Sequence, residues 1–146
     1  MQSATEFAHR TGTGNHCRFR QGSLNDPLPF EDDTFDAAYE IQAFSYAKDA
    51  VKVRPEVNRV LKPGGRLSFL DWVLLPGYDP GSAEHVDLVK RACGLLGAVA
   101  SPTVQDITQA MEKAGFQIVL SENPSINGQQ NQFISKEDKY FQWLRR

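Results

Sequence analysis

A chain that carries Arg59-Val60-Leu61-Lys62-Pro63-Gly64-Gly65 between two apolar runs has few folds open to it. Before this corner, Phe35-Asp36-Ala37-Ala38-Tyr39-Glu40-Ile41 reads as a strand. After it, Arg66 to Leu75 is a near-continuous apolar run, the pattern of a strand covered on both faces. Lys48 to Lys62 has helical spacing, so strand, helix and strand make one parallel βαβ crossover. Sheets of this kind bind ligands just past the carboxyl ends of their strands. The informative residues therefore follow Ile41 and lie around Asp71 to Pro80.

The rest of the chain extends this alternation. Glu6 to His9 reads as the end of a helix, within a polar stretch over 1–16 that is otherwise disordered. Thr13-Gly14 follows no strand and opens no helix, which excludes a GxGxxG phosphate loop. Cys17-Arg18-Phe19-Arg20 alternates as a short strand, and Pro27 and Pro29 keep 21–33 irregular. Pro55 is expected in the first turn of a new helical segment, with Gly64 and Gly65 turning the chain afterwards. Ser82 caps a helix from Ala83 to about Leu96, with Val86, Val89, Ala92, Cys93 and Leu96 on its buried face. Ser101-Pro102-Thr103 opens another helix, buried along Val104, Ile107, Met111 and Ala114 and stopped by Gly115. Phe116 to Leu120 reads as a last strand, 121–132 as polar and mobile, and 136–146 as a terminal helix.

Composition excludes several classes. With 146 residues, 40% hydrophobic and 23% charged, the chain suits one globular domain. A net charge of -2 with no Lys/Arg cluster argues against nucleic-acid binding. The first twenty residues are polar, unlike a signal peptide, and no apolar run is long enough to span a bilayer. A cytoplasmic protein is expected, with peripheral attachment to a substrate-holding membrane left open. Cys17 and Cys93 have neither a disulfide framework nor metal-ligand spacing, and read as small buried residues.

Leu28-Pro29-Phe30-Glu31-Asp32-Asp33-Thr34-Phe35-Asp36-Ala37 resembles the approach to the fourth strand of class I S-adenosylmethionine-dependent methyltransferases. Arg59 to Leu67 resembles their helix-to-fifth-strand corner, and Ala114-Gly115-Phe116 a later corner. Asp71-Trp72, Tyr78-Asp79-Pro80 and Glu84-His85 are similar to the sterol 24-C-methyltransferases within that group. The resemblance implies an α/β, partial Rossmann-like fold with a mainly parallel sheet and flanking helices. It implies a single truncated methyltransferase-like domain over 1–146, whose core is 17–120 and which lacks the N-terminal cofactor-binding half.

The resemblance also implies roles that this chain departs from. The adenine-facing Gly-Asp of the family is Gly22-Ser23, so Ser23 is a weak remnant of the cofactor site. The family's acid after the fourth strand, and the His four places later, are matched by Gln42 and Tyr46. Glutamine cannot act as a general base, and tyrosine ordinarily titrates near ~10. Glu40 is a carboxylate the family pattern does not contain.

Asp71 reads equally as a catalytic acid/base and as a strand-end residue capping a backbone group. Tyr39, Tyr46 and His85 are its candidate catalytic partners. Gln42, Phe44, Trp72 and Tyr78 are candidate substrate contacts, the aromatic ones forming a pocket for a flat lipid. Three functions fit. The first is acid/base isomerisation or cyclisation of a steroid- or terpenoid-like lipid, with no cofactor for the chain alone. The second is C-methylation of a sterol or terpenoid with S-adenosylmethionine, by an enzyme incomplete here or completed by a partner chain. The third is a non-catalytic binding subunit. A strand edge left open by the missing half predicts a homodimer or a partner chain.

Overall fold

A computed structural model describes residues 2–123. Its elements are α1 (Gln2–Arg10), β1 (Phe35–Ile41), a 3-10 turn (Phe44–Tyr46), α2 (Ala50–Val60), β2 (Leu61–Leu70), α3 (Ala83–Leu96) and α4 (Val104–Lys113). β1 and β2 form a parallel two-stranded sheet with α2 as the crossover. The α/β reading of the sequence therefore holds, and so does its central βαβ unit. The terminal helix expected over 136–146 lies outside the described residues.

The helix-to-strand corner is tighter than the sequence suggests. Leu61 already pairs with Phe35, and pairing resumes at Ala37 with Arg66, so 62–65 bulge outward opposite Asp36. Gly64 sits at φ +79, a left-handed position that disfavours any side chain. A Cβ on Gly65 would stand 2.8 Å from the Lys62 carbonyl oxygen and 3.2 Å from that of Asp36. Gly64 is thus demanded by its left-handed backbone and Gly65 by the close approach of neighbouring carbonyls.

Pro55 does not open a new helix. It lies inside a continuous α2, whose Asp49 cap accepts the Val51 N–H at 3.2 Å. The helix forgoes the hydrogen bond that residue 55 would donate, and burial of Val53, Val57 and Val60 offsets the loss. β2 ends at Leu70 rather than Leu75, and its residues alternate between half-buried and exposed instead of being covered on both faces. Beyond Leu70, Leu74 keeps a single parallel bridge, to Thr103.

Cys17–Arg20 and Phe116–Leu120 form no strand. A strand needs a neighbour to take its N–H and C=O groups, and no described strand lies beside either segment. Phe116 and Ile118 instead pack on the core from an irregular segment. Cys17 is exposed, contrary to expectation, and Cys93 is half-buried. The N-terminal stretch is helical from Gln2 to Arg10.

The core is Phe44, Ala47, Val53, Val57, Leu61 and Met111, flanked by Phe35, Leu67, Phe69 and Ile107. Met111, on the inner face of α4, is only 1% exposed. A capping box between Thr103 and Asp106 starts that helix, and Gly115 at φ +93 ends it. α3 differs: its Ser82 cap is present, yet the helix buries no residue, and only His85, Val89 and Cys93 form a half-buried line. Its apolar face is therefore open, not packed as the sequence implied.

One cation fastens the approach to β1. Arg59 donates to Glu56, to the Asp32 carboxylate at 2.7 Å, and to the Phe30 and Leu28 carbonyls. Glu56 in turn accepts the Leu28 N–H at 3.0 Å. Both acids support the Arg59 charge, raising an already high pKa. The Leu-Pro-Phe segment is thereby fixed to the end of α2.

Candidate functional site

Two carboxylates converge where the strands end. On β1, burial alternates so that Ala38 and Glu40 face inward, while Tyr39 between them is 81% exposed. After Ile41 the backbone turns through Gln42 at φ 56, whose N–H donates to the Leu70 carbonyl at 2.6 Å. Glu40 then accepts the Ala43 N–H on Oε2 at 2.7 Å. From the end of β2, Asp71 accepts the Ser45 N–H on Oδ2 at 2.9 Å and the Trp72 N–H on Oδ1 at 2.8 Å. Glu40 and Asp71 thus pin the same turn, one from each strand. Ser45 also holds the chain beyond α3, its carbonyl accepting the Val99 N–H at 2.8 Å.

A buried arginine lies beneath them. Arg54, on α2, is 7% exposed, with its guanidinium 5.9 Å from the centre of the Phe44 ring. Its Nη1 donates to the Ala50 carbonyl at 3.0 Å. Glu40 Oε1, Ser45 Oγ and Arg54 Nε are buried without a hydrogen-bond partner among the described residues. Three such atoms in one small region mark it off from the rest of the fold, since buried polar groups are nearly always paired.

The charges here are unequal. Burial pushes the Glu40 carboxyl above its ordinary value, and the neighbouring Asp71 charge adds to that rise. The Ala43 and Phe44 N–H groups and Arg54 oppose it. Burial lowers the Arg54 pKa, and the Asp71 and Glu40 charges partly restore it.

The structure brings only some of the sequence candidates together. Asp71, Gln42, Phe44 and Tyr46 all lie at the strand ends. Asp71 has both oxygens occupied by backbone N–H groups, which is the capping alternative of the sequence reading. Phe44 is 6% exposed and belongs to the core, against Phe69, so it lines no open pocket. Tyr39 points to the opposite face from Glu40. Tyr46 is half-exposed against Gly97, and Trp72 is exposed beside Asp71. Tyr78 and His85 make a separate pair, stacked at 6.3 Å, in which His85 Nδ1 accepts the Asp79 N–H at 3.0 Å. Ser23 sits in an exposed turn, where its hydroxyl accepts the Asn25 N–H at 3.1 Å.

Sequence reasoning noticed Glu40 without giving it a role, and it missed Arg54 and Ser45. The signal for Arg54 was its place between Val53 and Val57, inside the apolar stripe of α2. Among the described residues no group of acids, histidines and cysteines could hold a metal ion, and no helix is long and apolar enough to cross a membrane. An open groove of about 290 Å³ lies between α2 and α4, lined by Val51, Pro55, Asp106 and Lys113 among others. It is lined by neither carboxylate of the strand edge.

The chain is similar to known proteins in sequence and fold. A family profile described as a methyltransferase domain matches residues 1–69. A sterol 24-C-methyltransferase of Neurospora crassa is 32% identical over 126 residues, which is 84% of this chain and 32% of that protein. Geranyl diphosphate methyltransferase, solved in complex with SAM, superposes with a TM-score of 0.63 and 24% identity over 75% of this chain and 42% of its own. The cyclase SpnF does so with a TM-score of 0.63 and 24% identity over 80% and 39%. At such identities the two structures speak to the fold alone, a partial class I Rossmann-like one with a parallel sheet.

The resemblance implies S-adenosylmethionine. Ser23, the counterpart of the family's adenine-facing acid, is a neutral hydroxyl that accepts the Asn25 N–H within its own turn. The chain spans about a third of the length of the curated relatives it matches. Within that span it is similar to the sterol 24-C-methyltransferases, and residues 1–69 match the methyltransferase-domain family.

Proposed function

We propose that this chain supplies the lipid-facing, proton-handling edge of a sterol- or terpenoid-type C-methyltransferase. The observation that carries the reading is the pair of carboxylates, Glu40 and Asp71, set at the ends of adjacent parallel strands in a sterol-methyltransferase-like chain. Exposed Tyr46, Trp72, Leu70 and Leu75 give that edge an apolar character suited to a flat lipid. C-methylation of an alkene ends with loss of a proton from carbon, and a carboxylate beside an apolar surface can accept it. Asp71 holds the turn, Glu40 is the less engaged carboxylate, and Tyr46 and Trp72 contact the lipid. His85 and Tyr78 form a separate stacked pair at the start of α3.

A second reading has its own support. Gln42, Tyr46 and Ser23 differ from the family pattern at residues that are present. These favour isomerisation or cyclisation of a steroid- or terpenoid-like lipid without S-adenosylmethionine.

Calorimetric titration of the 146-residue protein with S-adenosylmethionine separates the two. Micromolar binding supports methylation. No binding, with deuterium from solvent entering a sterol or terpenoid alkene, supports isomerisation. Failure of both leaves a binding subunit and overturns the enzymatic reading. We also infer a homodimer or a partner chain, because β1 has β2 on one side only among the described residues. Light scattering that shows a clean monomer at micromolar concentration would remove that inference.

A further inference from the structure

We propose that Glu40 is the residue that carries the proton at this edge, with Asp71 as a hydrogen-bonded anchor and Arg54 as a positioning charge. The assignment rests on the lipid-acting reading above but concerns Glu40, a carboxylate that the family pattern does not contain. It follows from how differently the two carboxylates are held. Both oxygens of Asp71 accept backbone N–H groups, from Ser45 and Trp72, and so hold the turn. Glu40 uses one oxygen for the Ala43 N–H, while Oε1 is buried and accepts nothing. A negative charge spread onto a buried, unpartnered oxygen is costly, and binding a proton there removes the cost.

Neighbouring groups reinforce the asymmetry. Two carboxylates sharing a site resist being ionised together, so the less well solvated one takes the proton first. The charged groups that act on Glu40 are Asp71 beyond β2 and Arg54 on α2, together with the Ala43 and Phe44 N–H groups of its own turn. Asp71 and burial favour the protonated form; Arg54 and the two N–H groups oppose it. Arg54 makes no ion pair with either acid, and its position over Phe44 and its bond to Ala50 hold its charge at a fixed remove. A carboxyl group balanced in this way can release and retake a proton rather than stay locked in one form.

The step is simple. In the substrate, a C–H bond next to a carbocation breaks, and its electron pair forms the C=C bond that quenches the cation. The proton goes to the Glu40 carboxylate, which later releases it to solvent. In the reverse direction the neutral carboxylic acid protonates an alkene.

The test is a pH titration of the side-chain carboxyl carbons of the full protein by NMR, with Glu40→Gln used to assign the Glu40 resonance. Glutamine keeps an oxygen for the Ala43 N–H, so the turn is expected to survive. Glu40 should titrate above the ordinary glutamate value. Asp71→Asn should shift the Glu40 midpoint downward, and Arg54→Met should shift it upward, with Arg54→Lys restoring it. A wild-type Glu40 midpoint at or below the ordinary value overturns the assignment even if the Asp71 and Arg54 variants fail to fold. A raised Glu40 midpoint in a protein that acts on no sterol or terpenoid would instead overturn the enzymatic reading and leave the carboxyl assignment standing.

Discussion

Replacing Phe44 with alanine tests whether this residue belongs to the core or to a ligand pocket. The ring is 6% exposed and lies 5.8 Å from the ring of Phe69, tilted by 55°. Its removal forfeits about 1.5–3 kcal/mol of transfer free energy. Loss of the aromatic pair adds about 0.5–1.5 kcal/mol. The contact with the Arg54 guanidinium adds about 0.5–1 kcal/mol, and its loss leaves a desolvated cation facing a cavity. These contributions overlap, and measured Phe→Ala losses in cores run to about 3–5 kcal/mol. Whole domains are stable by only about 5–15 kcal/mol, so the variant should lose about a fifth or more of its stability. Urea unfolding followed by tryptophan fluorescence reads the loss as a lower midpoint at unchanged slope. Phe44→Leu, which retains much of the apolar volume, should cost about 1–2 kcal/mol. A Phe44→Ala loss under about 1 kcal/mol, coupled with weakened lipid binding, would refute the core assignment and return Phe44 to the site.

Three further outcomes are expected. Glu40→Gln should raise the urea midpoint at neutral pH. The folded-state pKa of Glu40 lies above the unfolded one, so stability is lost as pH rises between them, and the variant's advantage should vanish below about pH 4. Gly65→Ala should cost about 1–3 kcal/mol, because its Cβ would meet the Lys62 carbonyl, which is backbone and cannot swing aside; wild-type stability would contradict the bulged register of β1 and β2. Arg59→Met should speed hydrogen exchange at Leu28, the amide held by Glu56, and Arg59→Lys should not restore its protection, since one ammonium cannot replace a guanidinium fork.

What the sequence revealed divides along physical lines. Local signals were legible: the Ser82 and Thr103 caps, the Gly115 stop and the period of α2 are set by residues within one or two turns. The βαβ unit followed because a parallel pair needs a crossover, and Lys62-Pro63-Gly64-Gly65 marks its corner. Strands were less legible, because a strand exists only beside a neighbour. Cys17–Arg20 and Phe116–Leu120 alternate well enough but have no described strand to pair with. At the site, the placement of Asp71 and Gln42 past the strand ends was readable from the fold, whereas the burial of Phe44 and Arg54 was not. Phe44 follows a strand in a short turn, where exposure is the ordinary outcome, yet that turn is folded back onto α2. An arginine in mid-helix ordinarily reaches solvent, and only the tertiary position of Phe44 shows why Arg54 does not.

The position of the carboxylate on β1 permits one more prediction. By resemblance, the family's acid belongs at Gln42; here the acid is Glu40, on the same side of the chain two residues earlier. Two residues of strand amount to about 7 Å, so the charge is set back from the strand end toward the body of the sheet. That setback changes its surroundings. Glu40 is inward-facing and shares its environment with Asp71 and Arg54, whereas residue 42 stands at the turn with φ 56, its backbone tied to Leu70. Exchanging the two, as Glu40→Gln with Gln42→Glu, keeps composition and net charge constant and moves only the site of the charge. If position sets the proton affinity, the raised titration should disappear from the NMR profile and the new glutamate should titrate nearer the ordinary value. A raised midpoint that persists in the exchanged protein would mean that the place of the carboxylate along β1 does not set its proton affinity.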